Sequence, residues 1–350
     1  MNLQALVLLR PSRRVLATVW AGVSLFVALF AAAAWAHSNG PTITSPNAAL
    51  AFESGTAWLV WEVHESIVIG VIAFGAWYAW AVTKWRTRAA LSEHAVESWR
   101  VRTFYGSLVL LYLSLDGPLH HLADELLFSA HMLQHIILQL VWAPLMVLGI
   151  PDWLWRALLN LPGCKRFGTW AAGPLVATVA FNGATWAWHW PDAYNLALEQ
   201  HAWHIVEHLI FMTTAVMFWF VAIAPLPELK RSYPRRMLFI FINMFGMKIL
   251  GLIISMSSDV LYTFYARQPR AWGLDAMSDQ QIGGLLMWMP GGGLMWFGLG
   301  RVFWQWVNLG TPKRGTTGIA SIDNARGHAT SVAAPEMLDE DQPALATPRT

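Results

Sequence analysis

The chain has 350 residues, 56% of them hydrophobic and only 13% charged, with 22 tryptophans and a formal net charge of +2. Soluble domains run near about 45–50% apolar and ~25% charged, so this composition excludes an ordinary soluble globule and specifies a polytopic membrane protein. The single cysteine, Cys164, excludes a disulfide or a thiolate metal pair, and no nucleic-acid partner is expected.

Arg10, Arg13 and Arg14 precede the apolar stretch Val15–Trp35, which ends in Ala34-Trp35-Ala36. That order fits a signal peptide over residues 1–36, or an uncleaved signal-anchor, since the apolar core is long for a signal. Cleavage after Ala36 would put His37 first, where α-amine and imidazole together can chelate copper; an ordinary linker histidine is the competing reading. Residues 37–57 read as an outer-side linker.

Seven apolar runs follow, near Trp58–Val82, Val101–Leu115, Leu126–Leu148, Thr169–Trp188, Trp203–Ala224, Met237–Ser257 and Gln281–Val307. About 20 apolar residues cross ~30 Å of hydrocarbon as helix. The expected fold is therefore all-α, a seven-helix membrane bundle over residues 58–308. Residues 309–350 turn polar and rich in small residues, the composition of a disordered tail.

Basic residues gather in alternate loops: Lys84, Arg86, Arg88, Arg100 and Arg102, then Arg156, Lys165 and Arg166, then Lys230, Arg231, Arg235 and Arg236. The other loops hold only Arg267 and Arg270, and Lys313 with Arg314 follow the last run. Positive charge stays inside, so the C-terminus is expected in the cytoplasm. His120, His121, His131, His135, His189, His201, His204 and His208 then all fall toward the extracytoplasmic side, with His64, Glu62 and Glu65 near the outer end of the first run. His94 belongs to a basic inner loop and His328 to the tail.

His131 and His135 are four residues apart, on one helix face, where two imidazoles can share a metal. His201, His204 and His208 make a second stripe, and two facing stripes could build a four-nitrogen site. Asp124, Glu125 and Glu207 could orient the imidazole N–H groups from behind. The plainer role for a histidine in a membrane helix is an interhelical hydrogen bond or an interfacial anchor, and for His120, His121, His189 and His201 it competes with ligation. Imidazole suits copper, zinc or iron, and a thioether such as Met132 shifts the choice toward copper(I), although methionine is also a routine packing residue. Haem held between two axial histidines, such as His135 and His208, is the alternative cofactor.

Lys248, in the middle of the sixth run, should face the interior and meet an acid or carbonyls. Trp186 to Asp192 read as an interfacial aromatic belt ending at a helix stop, and Gly291-Gly292-Gly293 after Pro290 should kink the seventh run. His131-x-x-x-His135 lacks the second-position glutamate of a metalloprotease, so an enzyme is not expected.

Ser129-Ala130-His131-Met132-Leu133-Gln134-His135, continued by Ala143-Pro144-Leu145 and Leu148-Gly149-Ile150-Pro151, resembles the signature of the CtaG-type cytochrome c oxidase assembly factors. Trp203-His204 with Glu207-His208, and Asp279-Gln280 with the run through Trp288, resemble further segments of that family, over about Trp58 to Asn308. The resemblance implies a membrane protein needed to form an active haem–copper oxidase, at the copper-delivery step, with oxidase subunits and an extracytoplasmic copper donor as partners. The resulting expectation is a copper carrier, with His131, His135, His204 and His208 as primary ligands. His201 and His120 would be auxiliary ligands and Met132 a soft one. A haem electron-transfer protein, copper permeation and a metal-free assembly scaffold remain the alternatives.

Overall fold

The computed structural model describes residue 61 and residues 63–85, 95–161 and 164–308. The signal-like segment, the 37–57 linker, His37, Glu62, His94, Lys313, Arg314 and the tail lie outside the described residues. Described residues up to Trp304 fall in one compact unit, and residues 305–308 belong to a second.

All regular structure among the described residues is helical. In chain order the helices are α1 (Glu65–Lys84), α2 (Ser98–Leu115), α3 (Pro118–His121, running on into a wider turn over Leu122–Leu126), α4 (Phe128–Gly149), α5 (Asp152–Leu159), α6 (Cys164–Ala171), α7 (Pro174–Trp188), α8 (Pro191–Glu199), α9 (His201–Ile223), α10 (Tyr233–Ser255) and α11 (Ala276–Val307), with a single turn at Thr263–Ala266 before α11. Five of them, α1, α4, α9, α10 and α11, are long and apolar enough to cross a membrane. The other two expected spans also form helices. However, α2 carries Arg100 and Arg102 in its first turns, and α7 has only 15 residues because the expected Thr169–Trp188 run is broken ahead of Pro174. Proline lacks the N–H that would continue a helix and restricts the residue before it, and Gly173 takes that extended position at φ −71, ψ 128. Large apolar side chains such as Ile72 on α1, Val179 on α7 and Phe297 on α11 stand 63–75% exposed, a surface that suits lipid.

Two prolines inside long helices explain where those helices widen. Pro144 cannot donate to the carbonyl four residues back, and the preceding segment Ile137–Trp142 opens into a π turn; Pro290 sits within a second π turn, Met287–Gly291, where the sequence placed a kink. The Gln139 carbonyl beside the first widened turn is taken up by the Trp219 indole N–H of α9 at 2.8 Å, so it is not left bare in the apolar interior. At the far end of α4, the Arg100 guanidinium donates to the Leu148 carbonyl at 3.1 Å and the Tyr78 hydroxyl to the Gly149 carbonyl at 3.0 Å. These carbonyls belong to the last helical turn, which has no partner of its own. Pro151 then starts α5.

The N-terminus of α4 is fixed from a distance. Leu127 offers no capping side chain, and instead the buried Asp279 carboxylate of α11 accepts the Phe128 N–H at 2.7 Å and the Ser129 N–H at 3.1 Å. A carboxylate there satisfies two unpaired donors and lies at the positive end of the helix dipole. Its neighbour Gln280 accepts the Leu261 N–H at 2.7 Å and donates to the Asp259 carbonyl at 3.1 Å, holding the loop between α10 and α11. Helices α10 and α11 cross at glycines: a Cβ on Gly284 would stand 2.7 Å from the Gly251 carbonyl, so neither position has room for a side chain. In the bundle interior Asn182 donates to Asn243 at 2.7 Å, and Asn243 to Thr178 at 3.0 Å, tying α7 to α10. Lys248 is half-buried, its aliphatic stem against Gly292 in the widened stretch of α11, and no ion pair reaches it among the described residues.

Candidate metal centre

Four histidine-bearing segments meet at one end of the bundle: α3, the first turns of α4, the last turn of α7 and the first turns of α9. His131 and His135, one turn apart, bring their Nε2 atoms to 2.8 Å. His204 and His208 face them from α9, with ring centroids 5.3 Å from His131 to His204 and 5.2 Å from His135 to His208. The four are 0%, 3%, 4% and 6% exposed, so the rings point into the protein and away from lipid.

Their hydrogen bonds decide which ring nitrogens hold protons. The Tyr265 hydroxyl spends its proton on the Ala123 carbonyl, so its contact with His131 Nδ1 at 3.0 Å requires the imidazole to donate. A carbonyl can only accept, so His208 Nδ1 donates to His204 O at 3.1 Å and His189 Nδ1 to Thr185 O at 2.7 Å. His204 Nδ1 lies 3.2 Å from the Asp124 carboxylate and donates to it. In the neutral forms His131, His189, His204 and His208 therefore all keep an Nε2 lone pair, the atom that ligates metal, with the opposite nitrogen anchored; the His131 lone pair accepts the His135 Nε2–H at 2.8 Å, a proton that a metal shared by the two rings would displace.

These lone pairs converge. His131, His204 and His208 offer ligand atoms within 4.8 Å of one another, and His131, His135 and Glu207 make a second such group sharing His131. Three nitrogens ~2.1 Å from one metal stand roughly 3.4–3.6 Å from one another, so inward movement of up to about an ångström closes the site. Among the described residues His135 Nδ1, His204 Nε2, His208 Nε2 and both Glu207 carboxylate oxygens are buried without hydrogen-bond partners. Each such group costs about 1–3 kcal/mol, and His204, His208 and Glu207 all belong to ligand groups that share His131, an arrangement that calls for a cation. His189 Nε2, bare of a proton, faces the Met132 sulfur at 3.4 Å, which sets an imidazole and a soft thioether side by side.

Outside the spans, Asp124 supplies fixed charge. Burial alone would push its carboxyl up, but the His120 and His204 imidazoles outweigh that and hold it well below the usual carboxylate range. His120 itself is pushed down by burial, with Asp124 only partly offsetting this, so it lends little positive charge. His204, nearer at 3.2 Å against 3.4 Å, is the effective partner of Asp124.

Of the residues read from the sequence, the structure gathers His131, His135, His204, His208, Met132, Asp124 and Glu207. Glu207 stands in the cluster itself, 4.0 Å from His135 Nε2, not behind the imidazoles. His120 joins through Gln134, which donates to its Nδ1 at 3.1 Å and leaves that nitrogen beside Asp124 at 3.4 Å without a hydrogen bond to it, while Glu125 pairs with His121 at 3.5 Å instead. His201 is half-buried at the first residue of α9 and belongs to neither ligand group. Asp279, Gln280, Pro144 and Pro151 shape the helices as described above. The sequence reading did not find Tyr265, and it weighed His189 evenly between ligation and a plainer role without placing it among the ligands.

Fold and site together define a multi-pass helical membrane protein with a buried histidine–carboxylate centre at one end of the bundle. This chain belongs to the cytochrome c oxidase caa3 assembly factor family (Caa3_CtaG), whose model matches residues 76–308, a span that contains every residue of the centre. The chain is also similar to uncharacterized proteins of Mycobacterium bovis and Mycobacterium tuberculosis, 26% identical over 179 residues covering 46% of this chain and 27% of each relative. An uncharacterized protein of Mycobacterium leprae is 24% identical over 200 residues, covering 52% of this chain and 30% of the relative. The chain thus spans under a third of the length of these relatives. No solved structure matches.

Proposed function

We propose that the protein holds copper as cargo among His131, His135, His204, His208 and Glu207 and passes it to an oxidase subunit during assembly. The observation that carries this reading is the convergence of Nε2 lone pairs whose opposite nitrogens are tied to Tyr265, Asp124 and the His204 carbonyl. Neutral imidazoles, one carboxylate and the nearby Met132 thioether form a mixed donor set that suits copper in either oxidation state. Binding requires deprotonated ligands, and the Asp124 charge favours a cation close to His204.

The haem reading has less support. Axial coordination by His135 and His208 would need a macrocycle between rings whose centroids are 5.2 Å apart, where His131 and Phe211 already pack at 4.3 Å and 4.7 Å from His135. For the membrane we infer seven crossings, with α2 and α7 joining the five longer helices. The histidine end faces outward in a bacterial plasma membrane and the basic loops face the cytoplasm.

The test is copper content of the purified full-length protein beside the His131→Ala and His204→Ala variants, with oxidase activity of the host membranes read in parallel. Stoichiometric copper in the wild type, its loss in both variants and a matching fall in oxidase activity are expected. Undiminished copper in both variants removes these ligands. Full oxidase activity without copper binding returns the protein to a scaffold role.

A further inference from the structure

At the end of the bundle away from the histidines, α7, α9 and α10 enclose a pocket of about 280 Å³ lined by Pro174, Val221, Arg231, Arg235, Arg236 and Phe239. Arg236 is the buried wall, 2% exposed. Its Nε and Nη2 donate to the Ala222 carbonyl at 2.9 and 2.6 Å, and Nη2 also to the Ile223 carbonyl at 2.9 Å. These carbonyls close α9 just before Ala224 turns left-handed at φ 51. Nη1 has no hydrogen-bond partner among the described residues. Arg231 and Arg235 stand exposed at the rim, and among the described residues no carboxylate reaches any of the three within ion-pair distance. The acid in the adjoining loop, Glu228, is already engaged by Arg156 at 2.7 Å.

A buried guanidinium without a counter-charge is costly, and three converging on one pocket call for an anion. Guanidinium forks match the oxygen geometry of phosphate, and the volume lies at the small end of ligand pockets, room for a head group. The apolar wall decides between a soluble anion and a lipid. Leu175 and Val179 on α7 and Leu238 and Ile242 on α10 are 76%, 63%, 57% and 51% exposed, an apolar strip on the two helices that frame the pocket. We propose that this pocket binds the phosphate of an anionic phospholipid, with the acyl chains lying along that strip. Arginines that served only to orient the chain in the membrane would need no pocket and no spare buried donor.

The experiment titrates the delipidated full-length protein in neutral detergent with phosphatidylglycerol or with phosphatidylcholine of matched chains, and counts bound lipid by native mass spectrometry. The wild type should retain phosphatidylglycerol preferentially. Arg231→Gln/Arg235→Gln, which leaves the Arg236 bonds to α9 in place, should lower that preference at least about tenfold, since each basic residue contributes roughly a factor of five. Arg231→Gln alone should show an intermediate loss and serves if the double variant is poorly folded. Equal retention of the two lipids by the wild type, or unchanged preference in the variants, overturns the proposal. Displacement of the lipid by inorganic phosphate alone reassigns the pocket to a soluble anion, and displacement by a polyglutamate peptide reassigns it to an acidic protein segment; either result overturns the lipid.

Discussion

In its first turns α9 buries His204, Glu207 and His208, and at its last turn it receives the Arg236 guanidinium against the Ala222 and Ile223 carbonyls. At the arginine end the helix itself supplies acceptors for three of the five guanidinium N–H groups, and the two on Nη1 are left over. At the histidine end His131, His204 and His208 have Nδ1 tied down and present an Nε2 lone pair to the centre. The difference is one of design: a helix terminus stabilises a fixed charge with its own backbone, whereas a metal centre must keep side-chain lone pairs unspent, and other elements must hold those side chains still.

The strongest way to break this comparison is to remove the lone pairs. His204→Ala/His208→Ala should abolish copper retention altogether, a larger loss than the 10–100-fold typical of an outer partner, measured by metal analysis after gel filtration. Next in size is acidification. Imidazolium cannot ligate, so copper affinity should fall with acidification, by up to roughly one decade per pH unit for each ligand that must lose a proton. Asp124 does not share in that fall. Its carboxyl is held below the ordinary value, so its stabilisation is present above the unfolded value of about 3.9 and is lost only as pH falls through the still lower folded value. Copper affinity that stayed flat down to the pH at which the fold itself is lost would rule out imidazole ligation.

Tyr265→Phe sharpens the comparison. It removes the acceptor that fixes the His131 Nδ1 proton and should weaken copper about 10–100-fold with little change in folding, read by competition with a chelator of known affinity. Asp279→Asn should act in the opposite proportion. It removes the charge that caps α4, costing about 1–2 kcal/mol in thermal unfolding, and should loosen copper only through the helix that carries His131 and His135. The smallest effect belongs to the other end. Glu228→Gln loses the partner of Arg156, whose hydrogen bond lowers the Glu228 pKa, and for this partly exposed pair the cost should be at most ~1 kcal/mol with copper unchanged.

Much of the histidine end was legible because helical period is legible. The i,i+4 pairs His131/His135 and His204/His208 lie on the stripes where the spacing put them, and the Asp279-Gln280 and Pro144 segments marked the family before their work was visible. That work was not legible, because it acts across the chain: Asp279 caps a helix that begins 151 residues earlier at Phe128. Tyr265 lies in a loop with no period to announce it, and His189 is a lone histidine at a helix end, with no second imidazole a turn away. Glu207 shares the stripe of His204 and His208, but the sequence could not say whether it stood among the rings or behind them. The break in the Thr169–Trp188 run did have a signal, Gly173-Pro174, and apolar length obscured it.

The widened turn at Ile137–Trp142 leaves α4 with two halves that are out of phase. A π turn holds one residue more than an α turn, so a helical wheel drawn straight through α4 misplaces one half relative to the other by about 100°. Deleting a single residue there would preserve the helix and its hydropathy yet swing His131 and His135 away from α9, while every side chain of the centre remained in the chain.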